Sequence, residues 1–149
     1  MKFLTLSIAA GLMAMPMIAP AQGDLSRANV QQVVLEMGSN DDGMYFSPAD
    51  FRFETGQAYK LVLVNTDDIK HELSLGDMVE RIFTRKIEVE DADGNLVVEV
   101  KGRVHEVEIG PHQQVEWFFV PVQTTSAVQI SCEIAGHKEA GMVGTAEIY

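Results

Sequence analysis

The sequence predicts an all-β protein, an antiparallel Greek-key sandwich or barrel with at most one short helix. Three observations lead there: short runs rich in branched and aromatic residues recur along the chain, turn residues separate them, and helical periodicity is nearly absent. In order, the runs are Val30 to Met37, Ala58 to Asn65, Phe83 to Glu90, Leu96 to Val100, Val104 to Ile109, Val115 to Val120, Ala127 to Cys132 and Val143 to Tyr149. In the second run Tyr59, Leu61 and Leu63 alternate with Lys60, Val62 and Val64, so both faces are largely apolar and the strand suits a place between layers. Asp91-Ala92-Asp93-Gly94-Asn95 reads as a hairpin loop, because glycine and asparagine tolerate the positive φ that such loops need. His105 shares parity with Val107 and Ile109, which predicts an inward or rim position, whereas His112 reads as a surface-turn residue. Only Asp77 to Phe83 invites a short helix.

The first residues form a different kind of segment. Lys2 precedes an apolar run from Phe3 to about Ile18, followed by Ala19-Pro20-Ala21 with small residues where a signal peptidase reads. Residues 1–21 are therefore expected to be a secretory signal and 22–149 a single domain, long enough for one hydrophobic core. The apolar run is shorter than the ~20 residues a membrane span needs, and Pro16 interrupts it, so stable membrane insertion is not expected. With Lys2 in the leader, 10 basic and 22 acidic residues remain. That balance makes nucleic acid an unsuitable partner and favours a basic protein surface or cations.

An exported chain with a single cysteine closes no internal disulfide, so the surroundings of Cys132 decide its use. The stretch Cys132-Glu133-Ile134-Ala135-Gly136-His137-Lys138-Glu139-Ala140-Gly141-Met142 spaces cysteine, histidine and methionine five residues apart, with a glycine before each of the last two. A loop between two strands would curl these three around one point, and His71, just beyond the Ala58 to Asn65 strand, would bring a second imidazole. Two imidazoles, one thiolate and one thioether form the donor set of copper electron-transfer centres. Zinc would favour more cysteine, histidine or carboxylate. One copper ion, as Cu(I)/Cu(II), is the expected cofactor, held by His71, Cys132, His137 and Met142.

With these residues the mature chain resembles the plastocyanin and azurin superfamily, the cupredoxins, and especially bacterial periplasmic members whose last loop carries a cysteine, a glycine-histidine pair and a glycine-methionine pair. Met44-Tyr45-Phe46-Ser47-Pro48, Phe51-Arg52-Phe53, Gly56 and the strand ending at Asn65 resemble that family's first half. The resemblance implies that His71 is the first histidine ligand, Cys132 the thiolate, His137 the second histidine and Met142 the axial group. It also implies that the His137 ring edge approaches the surface, through a patch including Ala135, Ala140 and Met44. The ligand spacing is longer than in plastocyanins between Cys132 and His137, and longer than in azurins between His137 and Met142. Glu72 stands where those families usually have asparagine, and Glu133 where they have serine or threonine. A backbone amide is left to donate to the sulfur.

The expected function is that of a periplasmic blue-copper protein carrying single electrons between redox partners. The alternative is a copper-handling or copper-tolerance protein that binds or delivers the ion. Against a multi-ion store, only four methionines lie beyond the leader, and there is no histidine-rich or methionine-rich tract. With four protein ligands the metal would have no open position, so the chain is not expected to be an enzyme.

Overall fold

The computed structural model describes residues 28–149, so the leader expected at 1–21 lies outside the described residues. Within them the chain forms β1 (Gln31–Asn40), β2 (Gly43–Ser47), β3 (Asp50–Phe53), β4 (Tyr59–Asn65), β5 (His71–Ser74), a 3-10 turn (Gly76–Arg81), β6 (Ile82–Glu90), β7 (Leu96–Val100), β8 (Glu106–Ile109), β9 (Gln114–Pro121), β10 (Thr125–Ser131) and β11 (Val143–Ile148). One sheet runs β2-β1-β4-β9-β6-β7 and the other β3-β11-β10-β5-β8. The expected all-β sandwich is the observed architecture.

The core follows from alternation. Along β4, Tyr59, Leu61 and Leu63 are buried, and Val62 on the other parity is buried as well, because the strand is central, flanked by β1 and β9. Phe53 of β3 packs edge-on against Tyr59 and Phe119, with ring centroids 4.9 and 5.2 Å apart, which knits the two sheets together. Trp117 is fully buried, and its indole N–H donates to Thr84 Oγ1 over 3.1 Å, so no polar atom of the ring is stranded. The loop between β6 and β7 closes as expected: Gly94 has φ +80°, and Asp91 Oδ1 accepts from the amides of Asp93 and Asn95.

Two expectations, the strand directions and the place of His105, need correction. Two ladders, β1 with β4 and β3 with β11, are parallel, where the sequence predicts antiparallel pairing alone. Hairpin signals report only neighbouring strands, whereas these ladders join strands far apart in the chain. The short helix expected over Asp77 to Phe83 is a 3-10 helix over Gly76–Arg81, ending where the alternation of β6 begins at Ile82. His105 is exposed, neither inward nor on a strand, since β8 begins only at Glu106 and the parity of Val107 and Ile109 does not extend back through the preceding bend. His112 is the expected exposed turn residue, with φ 55° and its ring against Asp68 at 2.8 Å.

Close packing at the start of β11 controls the loop before it. A Cβ on Gly144 would stand 2.0 Å from the backbone oxygen of Ala49, which itself accepts a hydrogen bond from the Thr145 amide. Neither backbone can yield without breaking the β3–β11 ladder. Gly144→Ala is therefore expected to lower the unfolding free energy by about 2–3 kcal/mol, seen as an earlier urea midpoint at unchanged slope.

Candidate metal centre

The sandwich brings two distant stretches to one end. His71 opens β5, where it pairs with Ile109 of β8, and Cys132 follows the last residue of β10, Ser131, which pairs with Ser74 of β5. Adjacency of β5 and β10 thus places the first histidine beside the cysteine. The loop from Cys132 to Met142 is closed by its own backbone: the Cys132 amide donates to the Met142 carbonyl over 3.1 Å and the Met142 amide to the His137 carbonyl over 3.0 Å. Gly136 at φ +88° and Gly141 at φ +105° supply the left-handed turns this path needs. A Cβ on Gly141 would also lie 3.1 Å from the Met44 oxygen, because the β2 strand is held against the loop by the Met44 amide donating to Ala140.

Three of the four expected donors converge. His71, Cys132 and His137 are all buried, and one donor atom from each lies within 4.8 Å of the others. His71 Nδ1 is 3.2 Å from His137 Nδ1, which in turn is 3.4 Å from Cys132 Sγ. Around a trigonal ion with bonds of about 2.0 Å to nitrogen and 2.3 Å to sulfur, donors stand roughly 3.5–3.8 Å apart. The two contacts of 3.2 and 3.4 Å are close to these separations and the third lies within 4.8 Å, so the donor set is of a size for one small cation. Met142 is fully buried and tied by backbone bonds to both Cys132 and His137, which places it at the same loop. His137 is the least buried of the four at 8% exposure. Around it Ala135 is exposed, while Ala140 and Met44 are half-buried.

The electrostatics suit a soft or borderline cation. Burial pushes the Cys132 thiol up, against amides of Ile134 and Glu72 that stabilise the thiolate; the Glu72 N–H donates to Sγ over 3.3 Å. A cation beside the sulfur would displace that proton. Burial, and then the proximity of His71, hold His137 below the ordinary histidine range, so its ring is neutral and offers a lone pair at neutral pH.

Sequence reasoning singled out Glu72 and Glu133 but missed two other residues that hold these candidate donors, Asn65 and Asp67. Asn65, buried at the end of β4, directs Nδ2 at the carbonyls of Ile69, Ile109 and Gly110 at 2.7, 3.0 and 3.0 Å, while its Oδ1 accepts from the Asp67 amide at 2.9 Å. It pins the loop that carries His71 to the β8–β9 turn. Asp67 Oδ2 lies 3.1 Å from His71 Nε2. Hydrogen bonding from Ser39 and then from His71 holds the Asp67 carboxyl below its usual range, which suits it to accept from His71 Nε2 and to leave Nδ1 facing His137 and Cys132. The spacing of Asp67 and His71, four residues apart, was the available signal. Between the two ligand loops, Glu72 Oε1 accepts from the Glu133 amide at 3.3 Å, and Glu133 itself turns to Ser131 and Lys138. A carboxylate thus links the loops.

No protein-family model matches the chain. The copper-resistant cuproprotein CopI of Vibrio cholerae is 31% identical over 133 residues, spanning 87% of this chain and 70% of that protein. Among solved structures, a laccase from Pediococcus acidilactici aligns with 99% of this chain at 17% identity and TM-score 0.61. A copper nitrite reductase from Nitrosomonas europaea aligns with 80% at 12% identity and TM-score 0.60, and the multicopper oxidase McoA of Aquifex aeolicus with 84% at 15% identity and TM-score 0.58. The chain spans 32%, 49% and 30% of those three chains. At such identities these likenesses show a common fold.

Proposed function

Since the chain belongs to the family of the copper-resistant cuproprotein CopI and has the cupredoxin fold, we propose that it is a copper-binding protein of copper tolerance, exported to the periplasm through the leader at 1–21, with 22–149 as its one domain. His71, His137 and Cys132, with Met142 from the same loop, would hold one copper ion. The observation that carries this reading is the buried meeting of two imidazoles and one thiol, with one donor atom from each within 4.8 Å of the others. Bound copper would supply a one-electron Cu(I)/Cu(II) couple. The protein's part is to hold the loop of His71 in place through Asn65, to keep the donors buried, and to offer the sulfur an amide donor from Glu72. Its task is binding rather than turnover.

Electron carriage is the second reading, favoured by the position of His137 as the most exposed of the four donors. A deletion strain separates the two. Copper tolerance predicts growth that fails at raised copper and is restored by the full chain, with unchanged respiration at low copper; a carrier predicts a respiratory defect that does not depend on added copper. Stoichiometry is checked by titration, in which one equivalent of copper saturates the protein.

A further inference from the structure

The carboxylate behind His71 makes more than a structural staple. Asp67 is clamped on several sides: its own amide donates to Asn65 Oδ1 at 2.9 Å, the Asp68 amide donates to Asp67 Oδ1 at 2.8 Å, His71 Nε2 lies 3.1 Å from Oδ2, and Ser39 is a further hydrogen-bonding neighbour. Its side chain is 16% exposed and that of His71 0%, so solvent screens the pair weakly. An imidazole whose far N–H donates to a carboxylate is a more basic donor at its near nitrogen, and one with fixed ring orientation. Extra negative charge delivered through a ligand stabilises the ion of higher charge more than that of lower charge.

We propose, on the basis of the copper-binding reading above, that Asp67 is a positioning residue which, through its 3.1 Å bond to His71 Nε2, sets the ring with Nδ1 inward and biases the centre toward Cu(II). Ser39 supports it by holding the carboxylate in place. Plain loop stapling would instead affect both oxidation states alike.

The test compares Asp67→Asn, which keeps shape and an acceptor oxygen but loses the charge, with Ser39→Ala and the parent protein. Cu(II) and Cu(I) affinities are measured by competition with chelators of known strength, and the uncoordinated imidazole nitrogen is followed by electron spin echo envelope modulation. Asp67→Asn is expected to weaken Cu(II) binding about 10–100-fold with less than about 3-fold change for Cu(I), and to shift the remote-nitrogen frequencies. Ser39→Ala shifts the same ratio in the same direction by less. Equal loss for both ions, or an unchanged ratio and unchanged nitrogen frequencies, overturns the inference while leaving copper binding intact. A parent protein that binds no copper overturns the reading beneath it, and the inference with it. If Asp67→Asn does not fold, the ratio for Ser39→Ala decides.

Discussion

Cys132→Ser is expected to abolish the intense visible absorption of the copper-loaded protein and to weaken copper binding by more than about 100-fold, beyond what loss of an outer partner costs. Serine is nearly the same size as cysteine, and the Glu72 amide that donates to Sγ over 3.3 Å can donate to a hydroxyl instead, so the fold survives. A hydroxyl is not a thiolate: it keeps its proton at neutral pH and gives no sulfur-to-copper charge transfer. Absorption and chelator competition on the purified variant, with circular dichroism to check the fold, measure the effect. Retention of full affinity by Cys132→Ser would place the copper elsewhere in the chain.

Asn65→Ala is expected to cost about 3–5 kcal/mol of stability and to impair copper binding in whatever fraction still folds. Its Nδ2 faces three carbonyls, those of Ile69, Ile109 and Gly110, and its Oδ1 takes the Asp67 amide. Each buried partner left without a bond costs roughly 1–3 kcal/mol, and Asn65 is only 1% exposed, so water does not replace it freely. Because the same side chain ties the 67–71 loop to the turn after β8, loosening it frees His71. Urea denaturation reads the first effect and copper titration below the midpoint the second. Asn65→Asp keeps one acceptor and brings an ion beside the carbonyls, so it is expected to fare no better.

These two residues differ in how far they could be read in advance. Cys132 stood out through its own chemistry and the regular spacing of His137 and Met142, whereas Asn65 looked like the last residue of a strand. The same division runs through the elements. Strands β1, β4, β6, β7, β8, β9, β10 and β11 were legible because runs of branched and aromatic residues carry an alternation of their own. β2, β3 and β5 have four or five residues and begin at Gly43, Asp50 and His71, next to turn residues, so little alternation sets them apart from their flanks. Yet β5 carries the first histidine, and β2 braces the ligand loop through Met44 and Ala140. His105 shows the opposite error, an alternation extended past the point where the strand begins.

By itself the amino-acid sequence determined the all-β class and pointed to His71, Cys132, His137 and Met142 as candidate donors, because hydrophobic period and ligand chemistry are properties of local residues. The tertiary structure decided the parallel ladders, the meeting of His71 with Cys132 across β5 and β10, and the partners Asn65, Asp67 and Glu72 that hold the donors. Contacts between groups many residues apart form only when sheets pack and buried polar atoms must each find a partner. That requirement leaves little trace in any single stretch of chain.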